Sequence, residues 1–254
     1  MTSTYFVISC EHGGNRIPPV YRPFFAGFAP LLHSHRGYDM GALKVARELA
    51  SMLDAPLFAS TTSRLLVDLN RSIGHPQLYS EATRNVPAVI RQEILQRYYL
   101  PYRTEMESSI AETLRQGNRV IHLSSHSFTP ELNGQVRNAD IGFLYDPTRH
   151  PELEFCNRWR ASLRTWAPTL KVRRNYPYRG TSDGFAGHLR RRFPADLYTG
   201  IELEINQKHV FARAPHWPAL RRLLLETLQD VVSSNKFVTP GKSRYSNKGT
   251  MAVP

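Results

Sequence analysis

The stretch Tyr5-Phe6-Val7-Ile8-Ser9-Cys10-Glu11-His12-Gly13-Gly14 decides the architecture. Aromatic and β-branched side chains up to Cys10 favour an extended strand, and the paired glycines mark a turn directly after it. The period then changes. Over residues 41–53, Ala42, Val45, Ala46, Leu49, Ala50 and Leu53 recur at the spacing of an amphipathic helix. Short apolar runs that alternate with helical stretches continue along the chain. Strands are expected at 56–59, 65–69, 119–124, 141–145 and 200–205, with an extended piece at 171–174. Helices are expected at 87–115 (one or two, broken near Pro101), at 152–166 and at 217–232. This alternation predicts an α/β fold: a mixed, mainly parallel central sheet flanked by helices.

A chain of 254 residues, 41% hydrophobic and 21% charged, has the composition of a globular protein with a sizeable core. No internal repeat or linker divides it, so residues 1–235 are expected to form a single catalytic domain. Residues 236–254 contain Lys236, Lys242, Arg244 and Lys248 but no acid, and read as a basic tail or arm. No run approaches the roughly 20 apolar residues of a membrane-spanning helix. The first residues lack the basic region and long apolar stretch of a secretory signal, so a cytoplasmic location is expected. Cys10 and Cys156 are too few for a disulfide framework, whereas ten histidines are a ready supply of metal ligands. The net charge of +12 suits an anionic partner, either nucleic acid or a small carboxylate. The cluster Arg190-Arg191-Arg192 reads as a solvated basic face.

The polar residues gather where strands end. Glu11-His12, Asp68-Leu69-Asn70-Arg71, Ser125-His126-Ser127 and Glu202-Leu203-Glu204 each close or lie late in an apolar run. In open α/β sheets such ends converge on one crevice. A basic nucleic-acid module would explain the charge but not this placement, so nucleic acid is not the expected partner. His12 and His126 are candidate zinc ligands, while His122, four residues back on the same strand face, reads as a core histidine. A catalytic zinc takes three protein ligands. The third is Asp39 or Glu11: Asp39 precedes a helix and has helix capping as its ordinary role, and Glu11 should point away from its neighbour His12. Arg71, beside Asn70, presents a fork that fits a carboxylate, and Asp68 is expected to pair with Arg64 or Arg71. Glu202 and Glu204 share one face of a buried strand, where a base for water activation would sit.

Taken in order, Ser9-Cys10-Glu11-His12-Gly13-Gly14, residues 35–42 with Asp39-Met40-Gly41-Ala42, Ser63-Arg64, Asp68-Leu69-Asn70-Arg71 and His126-Ser127-Phe128-Thr129-Pro130 resemble the N-formylglutamate amidohydrolase family. The similarity spans about residues 5–207. More distantly, the Asp-Leu-Asn-Arg and His-Ser elements are similar to those of zinc carboxypeptidases and of the aspartoacylase and succinylglutamate desuccinylase group. The resemblance implies a zinc carboxypeptidase-like sheet and one Zn2+ per chain. It also implies hydrolysis of the amide bond of a small anionic N-acyl amino acid. By this resemblance His12 and His126 hold zinc, Asn70 and Arg71 bind substrate carboxylate, Glu204 activates water with Glu202 in reserve, and Arg64 polarises the scissile carbonyl. Asn206, at the same spacing beyond Glu204, is expected to orient it. The relatives' His-x-x-Glu ligand pair meets Asn15 here, which leaves the third ligand between Asp39 and Glu11, with Asp39 the preferred one.

Overall fold

Strand β1 (Thr4–Cys10) leads, through a 3-10 turn (Pro19–Phe25) and a short helix α1 (Ala29–Leu32), to helix α2 (Ala42–Leu53) and strand β2 (Leu57–Ala59) in a computed structural model that describes residues 3–234. The basic stretch 236–254 lies outside the described residues. Helix α3 (Ala88–Ile94) passes through a π turn (Leu95–Tyr99) into α4 (Leu100–Arg115), which feeds strand β3 (Arg119–Phe128). A hairpin, β4 (Glu131–Leu132) and β5 (Gln135–Val136), separates β3 from β6 (Ile141–Leu144). Then come α5 (His150–Trp166), β7 (Val172–Arg174), α6 (Phe185–Arg192), β8 (Tyr198–Asn206) and α7 (His216–Ser234).

Six strands pair in the order β2-β1-β3-β8-β6-β7. All neighbouring pairs are parallel except β6 with β8, which gives the mixed, mainly parallel sheet flanked by helices. No helix among the described residues is long and apolar enough to cross a membrane.

Strand alternation divides the sheet into an apolar face and a polar one. Phe6, Ile8, Cys10, Ile121, Leu123, Ile201, Leu203 and Ile205 face α2, α5 and α7 in one apolar cluster. The residues between them, among them Ser9, His122, Ser124, His126, Glu202 and Glu204, are also buried but point to the other face. There α4 and α6 cover Val7, Val120 and Tyr198 with Met106, Ile110, Phe185 and Leu189. The polar residues extend from that cluster toward the carboxyl ends of β1, β3 and β8.

Three expectations need correction. Residues 65–69 are turns and irregular backbone rather than a strand. Ser63 Oγ accepts the Leu65 N–H at 3.2 Å and Asp68 Oδ1 accepts the Asn70 N–H at 2.9 Å, local bonds that compete with a sheet ladder. Leu65, Leu66, Val67 and Leu69 are buried in a separate cluster with Tyr21, Phe25 and Tyr98, so an apolar run here marks burial without strand pairing. The helix is not broken at Pro101. The proline lies in the first turn of α4, right after the π turn, where its missing N–H is tolerated. Arg190 does not belong to a solvated face. On α6, which the sequence reading missed, Arg190 turns inward: Nε donates to Glu152 Oε1 at 3.0 Å and a terminal nitrogen donates to the Gly200 carbonyl at 2.7 Å. Arg191 and Arg192 are exposed.

Candidate metal centre and active site

The central strands β1, β3 and β8 run the same way, so their carboxyl ends lie side by side. After β1 the chain turns hard against the continuation of β2. The Ser60 N–H donates to the Cys10 carbonyl at 3.0 Å, and Gly13 returns a bond to the Ser60 carbonyl at 2.9 Å. A Cβ on Gly13 would lie 2.8 Å from that same oxygen, so the glycine serves this backbone approach rather than a ligand. The turn presents His12 to the crevice.

Asp39 arrives from the loop before α2, its N–H donating to the His12 carbonyl at 2.9 Å. It does not cap the helix: the N-cap is Gly41, with φ 83°, and no side chain caps it. Instead Asp39 Oδ2 lies 2.9 Å from His126 Nδ1 and 3.5 Å from His12 Nδ1, while Oδ1 accepts from Arg64. His12, Asp39 and His126 are buried, and their ligand atoms lie within 4.8 Å of one another. This group could hold a metal ion.

The outward ring nitrogens support that fit. His12 Nε2 is 2.7 Å from Asp68 Oδ1. His126 Nε2 is 2.8 Å from Ser124 Oγ and 3.2 Å from Glu11 Oε2, and Ser124 Oγ donates to Glu11 Oε2 at 2.8 Å. Tyr102 donates to the other Glu11 oxygen at 3.1 Å. A carboxylate on each Nε2 fixes the proton there and leaves each Nδ1 facing Asp39, as in metal sites whose histidines are oriented from behind. His12 Nδ1 has no hydrogen-bond partner among the described residues, which is costly for a buried ring nitrogen. A cation shared by the two Nδ1 atoms and Asp39 would satisfy all of them. Glu11, the alternative third ligand, stands behind His126 on its far nitrogen.

Electrostatics follow from burial and these pairings. Burial alone would raise the Asp39 carboxyl, but Arg64, His12 and His126 outweigh it and hold the group far below the usual carboxylate range. Glu11 and Asp68 are driven down in the same way, mainly by His126 and by His12 respectively. His122 behaves as the core histidine expected. Bonded to Ser9 Oγ at 2.8 Å and Tyr198 OH at 2.7 Å, it is lowered by burial to about 4.

Glu204 lies directly across from His126 in the β3–β8 register, whereas Glu202 lies across from the deeper Ser124. Glu204 is 5% exposed and its Oε2 has no hydrogen-bond partner among the described residues. Burial pushes its carboxyl up to about 8; Asp39 and Glu202 add to the rise, and His126 and Arg64 oppose it. Arg64 keeps a buried Nε with no hydrogen-bond partner among the described residues. Asn206 does not orient Glu204: its Nδ2 donates to the carbonyls of Arg137 and Ala139 at 3.0 and 2.8 Å.

Asn70 and Arg71 leave the turn that Asp68 anchors to His12. Asn70 Oδ1 accepts the Phe185 N–H at the start of α6 at 2.6 Å, and one Arg71 terminal nitrogen donates to the Asp183 carbonyl at 2.7 Å. Neither Arg64 nor Arg71 forms the expected bridge to Asp68; that carboxylate is taken by His12. The sequence reading therefore missed Asp68 and Ser124 as supports of the histidines. Ser124 had a legible signal, two residues before His126 on one strand face, whereas Asp68 depended on a contact across 56 residues.

A mostly parallel α/β sheet with a buried His–Asp–His group and the buried carboxyl of Glu204 at its strand ends defines an α/β protein with a metal-capable centre. The sequence profile of the N-formylglutamate amidohydrolase family matches residues 4–211, and the chain belongs to that family. It is a hydrolase of the amidohydrolase type. The gene product Atu2144 of Agrobacterium tumefaciens has a similar structure, at 29% sequence identity and a TM-score of 0.76, with 90% of each chain covered. The N-formylglutamate amidohydrolase of Ralstonia eutropha JMP134 shares the fold at 19% identity and a TM-score of 0.66, covering 92% of this chain and 94% of that one. No curated protein matches the sequence.

Proposed function

We propose that this chain is a zinc-dependent amidohydrolase that cleaves a small anionic N-acyl amino acid of the N-formylglutamate kind. The observation behind the proposal is the convergence of His12 Nδ1, His126 Nδ1 and Asp39 Oδ2, with both outward nitrogens held by carboxylates. Two imidazoles and one carboxylate suit zinc and leave a coordination position open. When bound there, zinc supplies Lewis acidity that acidifies water to a pKa near 7 and polarises an acyl oxygen.

The chain's own residues do the rest. Glu204, beside His126 and with an unpartnered oxygen, takes the proton from the attacking water. Water's oxygen bonds to the acyl carbon, the carbon–nitrogen bond breaks, and Glu204 returns the proton to the departing amine nitrogen. Arg64, fixed by Asp39 and with Nε unpartnered, offers positive charge to the oxygen on which negative charge develops. Arg71 and Asn70 hold the substrate's carboxylate, Arg71 through the guanidinium edge that Asp183 leaves free.

The test is turnover by purified protein on a panel of N-formyl and other N-acyl amino acids, with bound zinc quantified in the same samples. Release of free amino acid from a zinc-loaded chain is the expected result. Zinc loading without turnover of any panel member would turn the assignment into a carboxylate-binding protein.

A further inference from the structure

One cation at the mouth of this crevice has no role in the scheme above. Phe128 follows His126 by two residues on the same face of β3 and pairs in register with Asn206, which itself follows Glu204 by two. Arg137 is pinned at this outer position. Its N–H donates to the Pro130 carbonyl at 2.8 Å, closing the base of the β4–β5 hairpin, and its carbonyl accepts from Asn206 Nδ2 at 3.0 Å. The guanidinium sits 5.9 Å from the centre of the Phe128 ring and 5.2 Å from that of Tyr178, and donates to the Tyr178 hydroxyl at 3.3 Å. Stacking on aromatic faces orients a guanidinium while leaving its edge for a planar anion. Among the described residues no carboxylate forms an ion pair with it. Its charge is felt in the same space as that of Arg64: after burial, Arg64 and then Arg137 hold the His35 ring below its ordinary pKa.

We infer that Arg137 is a specificity-determining residue, a second anion-reading arm that selects substrates carrying a further carboxylate beyond the one assigned to Arg71. The inference rests on the proposed hydrolase reading and deepens it. Arg71 reaches the site from the turn that Asp68 ties to His12 at the end of β1, and Arg137 from the hairpin beyond β3 and β8. An extended dianion could span the two, which places the scissile amide over the His–Asp–His group and Glu204. A neutral side chain of equal shape would leave the Arg137 fork without its anion, and discrimination of that kind is set by the unmatched charged group.

The experiment compares N-formyl-L-glutamate, a dianion, with its near-isostere N-formyl-L-glutamine, which keeps the α-carboxylate but has a neutral side chain, on the zinc-loaded wild type, Arg137→Ala and Arg137→Lys. The wild type should favour the glutamate compound. Arg137→Ala should reduce the ratio of the two kcat/KM values by about 10-fold or more, chiefly through KM, the scale of a lost charge-assisted bond. Arg137→Lys, which keeps the charge but not the fork, should fall between. A wild type with no preference, or an Arg137→Ala ratio within about 2-fold of wild type, would overturn the inference. If the wild type hydrolyses neither probe, the N-formyl substrate reading fails by itself, and calorimetric binding of the same probes decides on Arg137. Selective loss of glutamate-probe binding in Arg137→Ala supports the assignment; equal binding by both proteins, or none by the wild type, removes it.

Discussion

Removing the carboxylate behind His12 should loosen the metal without touching a ligand. Asp68 Oδ1 lies 2.7 Å from His12 Nε2 and accepts the Asn70 N–H at 2.9 Å, so one oxygen orients His12 and fixes the turn that carries Asn70 and Arg71. Burial pushes the Asp68 carboxyl up, but His12, then Arg64 and Arg71, hold it far below the usual range, so the native group is ionised at neutral pH. Asp68→Asn keeps the shape and an acceptor oxygen but deletes the charge, which should weaken zinc affinity by about 10-fold. Asp68→Ala removes both bonds and should reach about 100-fold, or about 2.7 kcal/mol. Competition with a chromophoric chelator gives the affinities, and circular dichroism checks the fold. A folded Asp68→Ala protein that binds zinc as tightly as wild type would refute the idea that the carboxylate orients His12 for metal.

Further outcomes follow from the same geometry. Asp39→Ala should abolish stoichiometric zinc by elemental analysis while leaving the helix signal of α2 intact, because no side chain caps that helix. Glu11→Gln should weaken zinc on the scale expected for Asp68→Asn, since it stands behind the other histidine. Glu204→Gln should retain zinc and lose about 100-fold or more in kcat, with Glu202→Gln affected far less. In metal-free protein the Glu204 carboxyl titrates near 8 against about 4.5 when unfolded, so the folded state holds the extra proton and stability falls as pH rises between those values. Metal-free Glu204→Gln should therefore melt above metal-free wild type at pH 8, a gap that closes near pH 5; a gap that widens toward acid would show the sign to be wrong. Arg71→Lys should weaken use of free-acid substrates relative to amidated ones by about 10- to 100-fold in kcat/KM, the cost of losing a two-pronged charged contact.

How much of this was legible depended on the range of the interaction. Period-2 and period-3.6 patterns were enough for β1, α2, β3 and β8, because the hydrophobic face of each is set by its own residues. The same alternation put His122 and His126 on one face and Glu202 and Glu204 on another strand's matching face. The failures came where partners are distant. Residues 65–69 are as apolar as a strand, yet Ser63 and Asp68 take up the local N–H groups and their side chains fill a separate cluster. Arg190 looked solvated because Glu152, its buried partner, lies 38 residues away on another helix. Strand alternation argued for Asp39 over Glu11, because neighbours on a strand point to opposite faces. The sharp turn after Cys10 sends Glu11 behind His126 while His12 meets Asp39.

The most direct test of the central claim is hydrolysis of N-formyl-L-glutamate by protein stripped of metal and then titrated with zinc. The stripped chain should be inactive, and activity should rise linearly and saturate at one zinc per chain, with His126→Ala showing no such recovery. Full activity in the stripped protein, indifferent to added zinc, would contradict the account.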